Sequence, residues 1–250
     1  MEVVLDAVGV QLRAHVAHPA DSPTPPRFGL VLCHGFPSGP RGAANSAETY
    51  PDLADRLAAD AGWIVLSFNF RGTGDSEGDF SLGGWLVDLR TSIDHLLTVE
   101  GVQGVWLAGF STGGALAICA AAEDERVAGV ATMAAPSDFD EWADDPDRFL
   151  AYAREVGVIR SKDFPPDPVK WATELRETRA SSAAGKIPPR PLLIVHGSED
   201  DIVPVLDARQ LADAADGDVE LRVLTGAGHR LRHDPRAVAV LLGWLDRQTL

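Results

Sequence analysis

Gly104-Val105-Trp106-Leu107-Ala108-Gly109-Phe110-Ser111-Thr112-Gly113-Gly114-Ala115-Leu116 is the stretch that decides the fold. The apolar run 104–108 reads as a buried strand, and the small-residue run 115–122 as a helix packed close behind it. Between them, Ser111 sits in a sharp strand-to-helix turn. Such a turn lifts the side chain above the sheet edge, where a histidine and a substrate carbonyl can both reach it. The glycines on either side let neighbouring backbone approach with no Cβ in the way. A serine hydroxyl is a poor nucleophile until a base removes its proton, so the reading demands two more groups elsewhere in the chain.

Both candidates follow downstream, each after a strand-like run. Asp200 closes His196-Gly197-Ser198-Glu199-Asp200, after the apolar residues 191–195. His229 closes Gly226-Ala227-Gly228-His229, after 219–224. An imidazole titrates near neutrality and is suited both to accept the serine proton and to return it to a leaving group. A carboxylate behind it holds the ring in the right tautomer and stabilises the imidazolium. Asp201 adjoins Asp200 and is the alternative acid. His233, one helical turn beyond His229, reads as a surface residue rather than the base.

Working outward, strand and helix signals alternate, the signature of a largely parallel sheet with helices on both faces. Residues 3–8 and 11–17 read as an antiparallel edge hairpin around Gly9, and 19–26 as a proline-rich surface connection. Strands are expected at 28–33, 63–70, 105–108, 127–134, 191–195 and 219–224. Helices are expected at 47–61, 86–99, 112–122, 206–215 and 237–247; Leu86, Leu89, Ile93 and Leu97 share one helical face. Regularity breaks over 137–189, which holds no strand-like run and opens on Asp138-Phe139-Asp140-Glu141-Trp142. A connection this long inside an α/β domain is usually functional. It reads as a helical lid, with helices at 147–155 and 169–181, inserted into a core formed by 1–136 and 190–250.

Composition narrows the class. A chain of 250 residues with 45% hydrophobic and 24% charged residues fits one soluble α/β domain with a substantial core. A net charge of −15 argues against nucleic acid and anionic membranes as partners, since both are bound through basic patches. No apolar run is long enough to cross a bilayer, and Met1-Glu2-Val3-Val4-Leu5-Asp6 lacks the basic start and apolar stretch of a secretory signal, so cytoplasmic residence is expected. Cys33 and Cys119, the only cysteines, read as small buried hydrophobes. His34 and His196 each precede a glycine at a strand end and read as loop-bracing groups. No histidine and carboxylate cluster has ligand-like spacing, so no metal and no cofactor is expected.

Four separated motifs stand in order beside strands: His34-Gly35-Phe36, Arg71-Gly72-Thr73-Gly74-Asp75-Ser76, the turn at Ser111, and the Asp200 and His229 segments. With these the chain resembles the α/β-hydrolase superfamily over nearly its whole length outside the lid, and among its members it is similar to small bacterial carboxylesterases of the cinnamoyl and feruloyl type. The resemblance implies a mostly parallel eight-stranded sheet flanked by helices and a Ser111, Asp200, His229 triad; the His196-Gly197 spacing favours Asp200 over Asp201. It further implies an oxyanion hole made by the backbone N–H groups of Phe36 and Thr112. Arg71 and Asp75 are expected to brace the loop that holds them. Many relatives carry an aspartate where this chain has Asn69, which predicts that a loop ion pair is missing. Gly113 and Gly114 are expected to serve helix–strand packing.

The reaction implied is hydrolysis of a small-molecule carboxylic ester through an acyl-enzyme. The same machinery also serves peptidases, amidases, thioesterases, C–C hydrolases and perhydrolases, and the fold can persist as a non-catalytic binding module. Trp142, Phe149 and Trp171, with Tyr152, are candidate walls of a substrate pocket.

Overall fold

A computed structural model describes residues 1–19, 28–217 and 219–248; the proline-rich connection at 19–26 lies almost wholly outside them. The apolar runs form strands because their residues are buried on both faces, which suits the middle of a parallel sheet. The central members are β3 (Phe28–Cys33), β4 (Ile64–Phe68), β5 (Gly104–Phe110), β6 (Val127–Met133) and β7 (Leu192–Gly197). With β1 (Glu2–Asp6), β2 (Gln11–Ala17) and β8 (Val219–Leu224) they make an eight-stranded sheet in the order β1-β2-β4-β3-β5-β6-β7-β8. Only the β1–β2 and β2–β4 pairings are antiparallel. Leu32 pairs with Ala108, Ala108 with Ala131 and Ala131 with Leu193, so the C-terminal ends of four parallel strands lie side by side.

Side chains along β3 alternate between two cores. Leu30 and Leu32 face the one covered by α1 (Tyr50–Ala61) and α9 (Pro235–Arg247). Val31 and Cys33 face the other, covered by α2 (Leu82–Thr98), α3 (Thr112–Glu123) and α8 (Val205–Ala215).

Several boundaries differ from the expected ones, each for a local reason. Strand β1 stops at Asp6 because its carboxylate accepts from Gly9 N–H at 2.6 Å, fixing a turn in which Val8 and Gly9 both take positive φ. Helix α1 begins three residues late, at Tyr50 before Pro51. Helix α2 begins four residues early, at Leu82, with Ser81 as N-cap accepting from Gly84 N–H. Of the Gly83-Gly84 pair that hid this first turn, Gly84 answers to a close approach: a Cβ there would lie 2.8 Å from Arg71 Cδ.

Four helices connect β6 to β7: α4 (Asp140–Asp144), α5 (Pro146–Val156), α6 (Pro168–Glu177) and α7 (Ala180–Ala184). Asp145 and Asp167 cap α5 and α6, each followed by a proline in the first turn. The single helix expected at 169–181 is broken at Thr178 and Arg179, both in extended backbone. Tertiary bonds make the break. Arg179 pairs with Asp138 and Asp140, and Ser181 N–H donates to the Ser137 carbonyl at 2.9 Å.

Candidate active site

Ser111 joins β5 to α3 with φ 51° and ψ −126°, a conformation that costs a non-glycine residue on the order of 1–3 kcal/mol. The surroundings leave it no alternative. Its N–H donates to the Met133 carbonyl at 2.8 Å, and its own carbonyl accepts from Gly114 N–H at 2.8 Å. The glycines are steric necessities: a Cβ on Gly109 would lie 2.3 Å from the Gly113 oxygen, and one on Gly113 would lie 2.3 Å from the His34 oxygen. Gly35 matters equally, since its Cβ would sit 2.9 Å from that of Ser111.

The acid and the histidine arrive on two loops that touch. Ser198 N–H donates to Leu224 O at 3.0 Å, Glu199 N–H to Ala227 O at 2.9 Å, and Gly226 N–H to Ser198 Oγ at 2.8 Å. Gly197 permits the contact, because a Cβ there would meet the Ala227 oxygen at 2.2 Å. The result is a continuous chain of hydrogen-bonding groups. His229 Nε2 lies 3.1 Å from Ser111 Oγ, and His229 Nδ1 lies 2.9 Å from Asp200 Oδ2. The Asp200 side chain is fully buried, whereas Asp201 is exposed and, among the described residues, makes no such contact. Burial by itself would raise the Asp200 pKa. Hydrogen bonds from His196, His229 and the N–H groups of Val203 and Ile202 outweigh it and hold the carboxyl well below the usual carboxylate range. His233 is exposed in a short 3-10 turn.

Phe36 and Thr112 line one cavity of about 1100 Å³ together with Ser111 and His229. Thr112 is the first residue of α3, so its N–H stands at the positive end of the helix dipole. Among the described residues neither the Phe36 nor the Thr112 N–H donates to a protein acceptor. The loop holding Phe36 is braced by His34, which is fully buried. Its Nδ1–H donates to Gly35 O at 2.8 Å, and its Nε2 accepts from Phe70 N–H at 3.2 Å. Burial pushes the His34 pKa down to about 4, aided by the charge of Arg232 and opposed by the Gly35 bond.

The loop ion pair expected to be missing is present, from a different partner. Arg71 binds Asp88 of α2, with Nε to Oδ1 at 2.9 Å and backbone N–H to Oδ2 at 2.8 Å. Asp75 does not brace the loop. It is exposed, and Ser76 does the work by accepting from Arg13 N–H and donating to Asn69 O. Asp88 gave no signal in the chain because a helical carboxylate seventeen residues from its partner looks like any other exposed one.

The candidate pocket residues divide. Trp142 and Tyr152 line the cavity, beside Phe36 and Phe139. Phe149 and Trp171 do not; they are core residues behind it. Phe149 stacks under Trp142 with ring centroids 4.1 Å apart, and Trp171 lies beneath Phe149, its indole N–H donating to Phe80 O. Aromatic spacing on short helices does not reveal which ring faces inward. The cavity wall also carries the carboxylates Asp138, Glu141 and Asp207.

The alpha/beta hydrolase family model matches residues 30–241. The chain belongs to that family, and it is a hydrolase. It is similar to a monoacylglycerol lipase of Mycolicibacterium smegmatis, 29% identical over 87% of this chain and 86% of that one. Among solved structures it is similar to Est1E of Butyrivibrio proteoclasticus with ferulic acid bound, at 20% identity and a TM-score of 0.74, covering 99% of this chain and 97% of the other. The α/β hydrolase GrgF of Penicillium sp. sh18 matches at 21% identity and a TM-score of 0.75, covering 99% and 98%. Among the described residues no helix is long and apolar enough to cross a membrane.

Proposed function

We propose that the protein hydrolyses small carboxylic esters through an acyl-enzyme formed on Ser111. The observation that carries this reading is the unbroken contact from Ser111 Oγ through His229 to Asp200, at 3.1 and 2.9 Å. In the first half-reaction His229 Nε2 takes the hydroxyl proton as Oγ attacks the ester carbonyl. The oxyanion accepts from the N–H groups of Phe36 and Thr112, and the imidazolium returns its proton to the leaving alcohol. Water then attacks the acyl-enzyme by the same route, releasing the acid and restoring Ser111. Asp200, held ionised, keeps the Nδ1–H tautomer and stabilises the imidazolium in both halves.

The relatives named for lipase activity and for bound ferulic acid support an ester or related acyl substrate. The aromatic wall of Phe36, Trp142 and Tyr152 suits a flat or extended apolar acyl group. Residues 137–189, which hold four helices between β6 and β7, are read as the lid of the site, inserted in a core of 1–136 and 190–250.

A fluorophosphonate followed by peptide mass spectrometry tests the nucleophile. The expected adduct is on Ser111 and absent from Ser111→Ala; folded protein left unlabelled refutes the reading. A panel of p-nitrophenyl esters, hydroxycinnamate esters and aminoacyl anilides then tests the substrate class. Turnover of the anilides alone would overturn the esterase assignment.

A further inference from the structure

His196 is the penultimate residue of β7, and its side chain is fully buried beside Asp200. Its Nε2 lies 2.9 Å from the Val203 carbonyl oxygen and 3.3 Å from Asp200 Oδ2. A carbonyl and a carboxylate both accept and neither donates. Nε2 therefore carries the ring hydrogen and donates it to the Val203 carbonyl, with Asp200 Oδ2 standing close beside that N–H. Nδ1 is left as a buried acceptor with no hydrogen-bond partner among the described residues. His34, the other histidine at a strand end, uses both nitrogens to tie its loops. His196 commits one side of its ring, and that side faces the loop carrying the acid.

The two oxygens of Asp200 are served differently. Oδ1 accepts from Ile202 N–H at 3.0 Å and Val203 N–H at 2.8 Å. Oδ2 is the oxygen closer to His229 Nδ1, and no backbone donor reaches it. We infer that His196 is a positioning residue for the reaction: its Nε2–H, anchored on Val203 O, lies against Asp200 Oδ2 at 3.3 Å and sets how that carboxylate engages the His229 ring. The inference rests on the Ser111, His229, Asp200 reading above. Without this donor, Oδ2 keeps only His229 as partner, and its undispersed negative charge favours the imidazolium over the free base. The carboxylate also loses the contact that fixes its rotation. Asp207, at the start of α8, also interacts with both Asp200 and His196 and is left unchanged in the test.

The test compares wild type, His196→Leu and His196→Gln in the full chain. The glutamine keeps an amide donor near the Nε2 position, and the leucine has none. Steady-state kinetics on p-nitrophenyl butyrate would be measured from pH 5 to 9, with circular dichroism reporting folding and Ser111 labelling reporting competence. In His196→Leu, kcat is expected to fall roughly 10- to 100-fold, the range for a hydrogen bond to a charged group, with KM within about twofold. The acid limb of the kcat/KM profile is expected to move to higher pH, and His196→Gln to recover both readouts. A folded leucine variant with wild-type kcat and acid limb overturns the inference. So does a glutamine variant as slow as the leucine one, with the acid limb unmoved in both.

If the leucine variant does not fold, wild-type protein decides the matter through long-range proton–nitrogen correlation of the histidine rings. An Nε2–H tautomer at His196 that responds to Asp200→Asn supports the inference; an Nδ1–H tautomer overturns it. Failure of the underlying reading is a separate result: folded wild type that takes no label on Ser111.

Discussion

Acidification should unload a specific part of the stability of this protein, and His34 is the group responsible. In the native state its Nε2 accepts from Phe70 N–H in a fully buried site, so a proton added there would face another donor. Burial lowers its pKa from 6.5 to about 4, with the Arg232 charge adding to the effect and the Gly35 bond opposing it. In the unfolded chain His34 binds a proton below about 6.5, whereas the native ring stays neutral until about pH 4. The stabilisation is therefore complete above pH 6.5 and is lost as pH falls toward 4. Two and a half pKa units correspond to roughly 3 kcal/mol in full, and the fraction lost between pH 7 and pH 5 is about 2 kcal/mol. Asp200, with its depressed pKa, acts in a lower window that begins near its ordinary value of 3.8, so the two do not overlap. Urea unfolding followed by tryptophan fluorescence at pH 7 and pH 5 reads the difference, with His34→Gln as the comparison. The variant should be less stable at pH 7, since it loses the ring's fit to Gly35 and Phe70. It should nevertheless lose about 2 kcal/mol less than wild type on acidification. Parallel losses in the two proteins would refute the argument.

Other expectations follow from single contacts. Asp200→Asn should lower kcat by about four orders of magnitude by disturbing the tautomer, while Asp201→Asn leaves ester turnover near wild type; the reverse would move the acid to Asp201. Gly113→Ala places a Cβ 2.3 Å from the His34 oxygen, so thermal melting should show destabilisation of about 1–3 kcal/mol, and an unchanged melt would contradict the packing described. Arg71→Met strands the buried Asp88 carboxylate and should cost about 3–5 kcal/mol, measured by urea unfolding at pH 7. Trp142→Ala should raise KM for long or aryl esters with a smaller effect on short ones, whereas Trp171→Ala, in the core, should lower stability by about 3–5 kcal/mol; equal KM effects from both would place Trp171 at the cavity.

Much of the architecture was legible before any coordinates. The runs 28–33 and 127–134 became strands because residues buried on two faces must be apolar along their whole length, and apolarity is written locally. Ser111, Asp200 and His229 were recognisable for a related reason: each follows a strand, and the sheet order brings the ends of β5, β7 and β8 to one edge. Legibility failed where a residue's role depends on a distant neighbour. Asp88 is one helical charge among many in the chain, and only the fold sets Arg71 against it. Helix α2 was cut short by a glycine pair whose value lies in the approach of Arg71. Phe149 and Trp171 matched Trp142 in type and setting, yet only Trp142 turns to the cavity.

The chain by itself determined the order of strands and helices, the elbow, the three candidate reacting groups and the break of pattern at 137–189, because periodicity and glycine placement act over a few residues. Tertiary structure set Asp200 rather than Asp201 against His229, supplied Asp88 to Arg71, broke the helix at Thr178, and brought His196 beside Asp200. These outcomes depend on which groups meet across the fold, and burial changes the energy of a charge or a hydrogen bond only after the partners have met.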